Sequence, residues 1–284
     1  MAQTTPNHKL TVSGWAAHDS SGVVTPYTFK RRVNGADDVS IKILLLWEFV
    51  HPILTMSKMI GVSLCTRRSW YVVHVPESLP MDAAAPLLCA GITVYSPMID
   101  NNLHETPGKK IGIVGLGGLG HVAIKFGKAF GHHVTVISTS PSKEKEARER
   151  LGADDFIVST DPQQMQSKMR TLDFILDTVA ATHSIGPILE LLKVKGTLVL
   201  VGAPDKPLDL PSFPLIFGKR VVKGSIIGGM KETQEMMNFC GKHNITCEIE
   251  TVTPDRINEG LTRLANNDVK YRFVIDIGGK NSSL

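Results

Sequence analysis

Six residues constrain this chain more than any others: Gly115-Leu116-Gly117-Gly118-Leu119-Gly120, preceded by the apolar run "IGIV" and followed by "HVAIKF". A GxGxxG spacing alone is a weak signal, but between a strand and a helix each glycine has a task. Gly115 makes the tight turn, Gly117 lets the backbone come close to a pyrophosphate, and Gly120 lets the helix lie close on its sheet. The helix start then presents unpaired N–H groups and the positive end of its dipole to phosphate. The competing reading, a glycine-rich turn with no ligand, is outweighed by the pattern on both sides.

That pattern alternates between strand and helix over residues 97–229. "KKIGIVG", "HVTVIS", "DFIVS", "LDFILDTV", "GTLVLVG" and "VVKGSII" read as strands. "HVAIKFGKAFG", "SKEKEARERLG" (ending at Gly152) and "HSIGPILELLK" read as helices between them. Continuous apolar strands separated by helices specify a doubly wound parallel sheet, an α/β fold of Rossmann type. Residues 1–96 form a separate, mainly β region, with β-like runs "VSGWAAHD", "YTFKRRV" and "DVSIKILL" and an atypical segment over 45–69. Residues 230–284 form a C-terminal segment with two helices and two strands, "CEIETV" and "YRFVIDI".

Composition excludes several classes. A net charge of +4 without long basic runs gives no support to nucleic-acid or membrane-surface binding. No apolar run approaches the roughly 18–20 residues of a membrane span. The start "MAQTTPNHKL" has no apolar core of a secretory signal. Cys65, Cys89, Cys240 and Cys247 form no CxxC pair, which suits free thiols in a reducing compartment. The expectation is a soluble, cytoplasmic protein.

The second strand's end selects the dinucleotide. An acidic residue there holds the ribose 2′-hydroxyl of NAD. Here "HVTVIS" runs into Ser138-Thr139-Ser140-Pro141-Ser142-Lys143. Hydroxyls with a cation suit a 2′-phosphate, which a carboxylate would repel. The same residues can cap the following helix, and a capping turn is also an anion site. NADP(H) is therefore favoured.

"APLLCAGITVYSPM", "GLGGLGHVAIKFGKAFG", "VTVISTSPSKEKEA", "GSIIGGMKETQEMMNFCGKHNI" and "DVKYRFVIDI" resemble the plant cinnamyl alcohol dehydrogenase group of the zinc-containing medium-chain dehydrogenases. The resemblance is loose over residues 1–44 and nearly continuous over 72–278. It implies a Rossmann domain with a GroES-like catalytic domain, here truncated. It also implies NADPH-dependent interconversion of a small-molecule aldehyde and a primary alcohol, by a homodimer joined through the Rossmann domains. On the family's cofactor-contact positions stand Thr93, Thr178, Gly202, the Ser225-Ile226-Ile227 strand, and Ser138 to Lys143.

The same resemblance exposes a gap. The family's catalytic zinc takes its ligands from a Gly-x-Cys-His motif, a Gly-His-Glu motif and the cysteine of "LLCAG"; only the last is present, as Cys89. The four cysteines of the structural zinc lobe are also missing, so no catalytic set is intact. In their place stands "LLLWEFVHPILTMSKMIGVSLCTRRSW". His51, Cys65 and His74 match no zinc-site spacing. Codon degeneracy lets Thr55 to Thr66 encode "YVKDDWGVSLYP" in another frame, a string that resembles the family after its Cys-His motif. Residues 45–69 are thus read as an out-of-frame stretch with the metal lobe skipped. Three readings stay open: an alcohol/aldehyde oxidoreductase with impaired zinc chemistry, a non-catalytic NADP(H)-binding remnant or dimerisation partner, and a zinc-independent reductase.

Overall fold

The computed structural model describes residues 9–32, 45–47 and 73–277. Chain contacts divide it into two units, one of residues 1–73, 250–269 and 273–284, the other of 74–249 and 270–272. The frame hypothesis for 45–69, the run "DVSIKILL" and the fates of His51 and Cys65 lie largely or wholly outside the described residues.

The first unit opens with an antiparallel hairpin, β1 (Lys9–Ala17) and β2 (Val24–Arg32). Its turn is set locally, with Asp19 Oδ1 accepting the Ser21 N–H at 2.8 Å and Gly22 at φ +73°. A short strand β3 (Leu45–Trp47) follows.

The second unit begins with α1 (Met81–Ala84), a single turn of 3-10 helix over 85–88, and α2 (Ala90–Asp100). The chain bends by 55° at Cys89, between Met81–Leu88 and Ala90–Asp100, and α2 is buried from Ala90 to Met98. Among the described residues no single helix is long and apolar enough to cross a membrane.

The alternating region then runs β4 (Lys110–Val114), α3 (Gly120–Ala129), β5 (His133–Ser138), β6 (Asp155–Val158), α4 (Pro162–Ser167) and β7 (Leu172–Asp177). It continues with α5 (Gly186–Leu191), β8 (Leu192–Leu200), α6 (Ser212–Gly218), β9 (Val221–Gly224) and α7 (Met230–His243). The six strands form one parallel sheet in the order β6-β5-β4-β7-β8-β9. This is the doubly wound order, with its switch between β4 and β7.

Consecutive strand residues face opposite sides, and the core records it. Ile111, Ile113, Val134, Val136, Phe174, Leu176 and Val199 enter one buried cluster, with Val122 and Phe126 of α3. Their neighbours Val114, Ile137, Ile175 and Leu198 enter another, with Ile188 and Leu189 of α5. Both faces of the sheet are thus covered, as a parallel sheet requires. Close approach is built in at Gly127, where a Cβ would stand 2.7 Å from Ile111 Cδ1.

The charged helix expected over 142–152 forms, helical from Pro141 to Arg150 with a widened last turn over Glu146–Arg150 and Leu151 N–H donating to Glu146 O at 3.2 Å. Two elements differ from the sequence expectation. The helix expected to reach Lys193 ends at Leu191, because Leu192 is already extended and pairs with Leu172 before a register shift. The Ser225-Ile226-Ile227 strand is not formed: β9 stops at Gly224, and Ile227 turns to φ +44°.

After α7 come β10 (Ile249–Val252), α8 (Ile257–Ala265) and β11 (Arg272–Asp276). The sheet order β10-β11-β3 adds a three-stranded layer to the first unit, consistent with its mainly β character. Its small core joins Val24, Val252, Ile257, Phe273 and Ile275. Asn258 ties α8 to β2 by two bonds of 3.0 Å with the Val24 backbone.

Candidate dinucleotide site

Parallel strands share an edge for their C-terminal ends, and that edge gathers most of the expected site residues. Gly115 follows β4, Ser138 ends β5, Thr178 follows β7, Gly202 lies just beyond β8 and Ser225 follows β9. A crevice at the carboxyl ends beside the switch point is where an open α/β sheet takes its ligand.

The glycines sit as their spacing requires. Gly115 turns at φ +88°, a conformation glycine adopts at little cost, and its N–H donates to the Ile137 carbonyl at 2.9 Å. A Cβ on Gly120 would lie 2.0 Å from the Gly115 carbonyl oxygen, so only glycine closes this turn onto α3. A Cβ on Gly117 would meet nothing within 4 Å, leaving open room over the loop. A Cβ on Gly118 would strike the Arg272 guanidinium at 2.5 Å. Leu116 is buried and Leu119 half-buried, which anchors the loop to the core.

Lys143 ties the second turn to the first. Its Nζ donates to the Leu116 carbonyl at 2.9 Å, while its N–H caps back to Ser140 O at 3.2 Å. Ser138 Oγ accepts the Ser140 N–H at 3.2 Å, and Thr139 is exposed beside it. The turn over Ser138 to Lys143 is thus held by its own backbone bonds, with the Lys143 cation directed to the glycine loop. Thr178 Oγ1 donates to the Val114 carbonyl at 2.8 Å. The Gly202 N–H donates to the Asp177 carbonyl at 3.1 Å, and a Cβ there would meet Val179 O at 2.1 Å. Ser225 donates its N–H to Leu200 O at 3.1 Å, whereas Ile226 and Ile227 project into solvent.

Sequence reasoning assigned no role to two residues that brace the loop. Arg272 is buried and its Nε donates to the Gly118 carbonyl at 3.3 Å; burial lowers its pKa, against the raising influence of Cys247 and Cys89. His121 is fully buried and stacked on Tyr271 at 4.7 Å. Its Nδ1 donates to Gly117 O at 3.0 Å and its Nε2 accepts the Glu248 N–H at 3.1 Å, which fixes a neutral tautomer. Burial accordingly depresses its pKa to about 3. The sequence signal for His121 was its place directly after the last glycine. Arg272 had none beyond lying in a family motif.

The residues present therefore fit a dinucleotide. A catalytic zinc is a different matter. Cys89 closes the turn before α2, where its carbonyl accepts the Thr93 N–H at 3.0 Å. Burial raises its thiol pKa, opposed by Arg272 and a bond with Thr93. Among the described residues no group of three His, Cys, Asp or Glu side chains could hold a metal, so the donor set does not fit and no chemistry is routed through one.

Comparison with known proteins agrees with the fold. The sequence model of the family described as "Zinc-binding dehydrogenase" matches residues 118–242. A relative from Oryza sativa subsp. japonica named "Probable cinnamyl alcohol dehydrogenase 6" is 52% identical over 355 aligned residues, covering 98% of this chain and 99% of the relative. At least 71 of those 355 positions have no residue in a 284-residue chain. A cinnamyl alcohol dehydrogenase structure from Sorghum bicolor superposes with a TM-score of 0.84 at 39% identity, covering 97% of this chain and 100% of that one. The structure of CAD from Helicobacter pylori complexed with NADP(H) superposes with a TM-score of 0.78 at 28% identity, covering 96% of this chain and 99% of that one. On these likenesses the chain belongs to the zinc-binding medium-chain alcohol dehydrogenase family, alongside the plant cinnamyl alcohol dehydrogenases.

Proposed function

We propose that this chain is an NADP(H)-dependent oxidoreductase of cinnamyl alcohol dehydrogenase type, interconverting a small-molecule aldehyde and a primary alcohol. The observation that carries the reading is the junction of two anion sites. The glycine loop and the Ser138-Thr139-Ser140 turn are joined by the Lys143–Leu116 bond, so a pyrophosphate and a 2′-phosphate can be held together. When bound, the nicotinamide supplies the hydride for aldehyde reduction. This chain's own residues bind and orient it: the α3 N-terminus takes the pyrophosphate, with Arg272 above Gly118. Thr178, Gly202 and Ser225 line the crevice, and Thr93 lies next to Cys89 on α2.

A second reading has its own support. Cys89 lacks a matching pair of donors among the described residues, and the aligned relative carries at least 71 positions that this chain does not. An NADP(H)-binding partner without turnover fits both facts. NADPH fluorescence titration, zinc content and reduction of a hydroxycinnamyl aldehyde on one sample separate the two. Binding with turnover supports the oxidoreductase, binding without turnover supports the partner, and no saturable binding refutes both.

Homodimerisation through the Rossmann domain is supported by one sheet edge. Among the described residues β9 pairs only with β8, and Val221, Phe213, Ile216, Phe217 and Ile226 are exposed on or near it. An open apolar edge invites a second strand. Val221→Lys should then turn a dimer into a monomer in sedimentation; a wild-type monomer would sink the idea. Free thiols at Cys89, Cys240 and Cys247 suit a cytoplasmic location, which fractionation of tagged protein would check.

A further inference from the structure

A charged pair on the wall of the crevice is not used by the function proposed above. Asp177 ends β7 with its side chain 1% exposed. Its Oδ1 accepts the Val179 N–H at 3.0 Å, and its Oδ2 lies 2.7 Å from His183 Nε2. The other ring nitrogen, Nδ1, lies 2.8 Å from the Ala181 carbonyl oxygen. Neither partner can donate, so both nitrogens must, and the ring that suits this place is the imidazolium. A neutral ring carries one N–H and surrenders one of the two bonds.

The pair governs the backbone between them. The Asp177 carbonyl accepts the N–H groups of Val201 and Gly202, at 2.9 and 3.1 Å. Val179 is wedged between two glycines of the site: a Cβ on Gly115 would come within 2.9 Å of Val179 Cγ2, and one on Gly202 within 2.1 Å of its carbonyl oxygen. Any shift of residues 178–182 therefore moves the surfaces presented by Gly115 and Gly202.

We propose that Asp177 and His183 form a proton-dependent clasp that fixes the 178–182 wall of the dinucleotide crevice, which makes His183 a positioning residue for cofactor affinity. The proposal rests on the NADP(H) reading of that crevice. Among the described residues, Asp177 is the charged group that bears on the ring; the Ala181 carbonyl is its other polar neighbour. The Asp177 hydrogen bond holds the His183 pKa above its usual 6.5, against burial and with help from Ala181 and the carboxylate charge. The sign follows: the clasp is complete below that usual value and is lost as pH rises through the raised, folded-state value.

The test is NADPH fluorescence titration of the wild-type chain and His183→Gln from about pH 6 to about pH 9, a span that brackets a raised histidine. Glutamine keeps one donor toward Asp177 and does not titrate. The Kd ratio of variant to wild type should be several-fold at the acid end, on the order of one charge-assisted hydrogen bond, and fall toward one at the alkaline end. Taking the ratio cancels the titration of the cofactor's own phosphate. A ratio constant with pH, while the wild type binds, overturns the clasp and leaves the cofactor reading standing. A wild type that binds no NADPH at any pH overturns both. Should the variant fail to fold, the wild type suffices: the His183 ring titration followed by NMR must move to higher pH on NADPH saturation, and an unmoved titration overturns the proposal.

Discussion

Replacing Gly120 by alanine puts a Cβ 2.0 Å from the Gly115 carbonyl oxygen and 3.0 Å from its carbonyl carbon. Ordinary carbon contacts need about 3.5 Å, so the turn must open by roughly 1.5 Å. The clash is with backbone, which cannot rotate away as a side chain can. Overpacking of this kind costs about 1–3 kcal/mol or more, a fall in Tm of about 2–12 °C for a unit of this size. Gly117 is the control, because its added Cβ meets nothing within 4 Å and its φ is not left-handed. Gly117→Ala should change stability by less than about 0.5 kcal/mol. Its methyl group fills the space left for the pyrophosphate, and NADPH affinity should fall at least about tenfold, or ~1.4 kcal/mol. Thermal melts with and without NADPH read both effects, since saturating cofactor at about 100 Kd adds ~2.7 kcal/mol to a chain that binds it. Gly117→Ala protein that melts normally and still gains full NADPH stabilisation would refute the placement of the phosphate. Gly120→Ala protein with a wild-type Tm would refute the steric argument.

Three further outcomes follow from the same geometry. Lys143→Ala should weaken NADPH by roughly tenfold or more and NADH by clearly less, measured by parallel fluorescence titrations, since a charge-assisted bond to phosphate is worth about 1.5–3 kcal/mol and only the loss of the Leu116 tie is shared by both cofactors. Arg220→Met should cost about 3 kcal/mol or more in urea unfolding, because Arg220 is buried with two bonds to Leu192 O, one to Pro214 O and an ion pair with Glu190. Although burial pushes the Asp154 carboxyl up, bonds from Lys128 Nζ and the Val134 N–H outweigh it and lower its pKa below 3.8. Its contribution is present above the unfolded value and lost as pH falls through the folded one, so Lys128→Met should flatten the acid limb of stability against pH below about 4.

Much of the second unit was legible because its signals are local. The loop reads from six consecutive residues, and β4, β5 and β7 from apolar runs buried on both faces. Errors arose where tertiary pairing overrode local preference. Leu192 reads as helix from "ILELLK" but is drawn into β8 by Leu172. α6 escaped notice because "SFPLIFG" carries a proline and little polar periodicity, and it exposes Phe213, Ile216 and Phe217. In the site, Ser138 and Lys143 were readable from sequence, but the bond from Lys143 to Leu116 was not. Arg272 was invisible as a brace because it reaches Gly118 across 154 positions of chain. The Asp177–His183 pair was missed for a subtler reason: each residue is unremarkable until both ring nitrogens are seen to face acceptors.

The route of the chain also orders events during synthesis. Nearly all of the second unit is made from 74–249 and emerges from the ribosome as one stretch, so its sheet can assemble early. Lys270 to Arg272 are the exception, and Arg272 is the group that steadies Gly118. A nascent chain that has already formed its six-stranded sheet still carries an unbraced phosphate loop until residues 270–272 have been made. Cofactor capture thereby waits on a segment made well after the sheet, and a product ended before residue 270 would possess the sheet without the finished cradle.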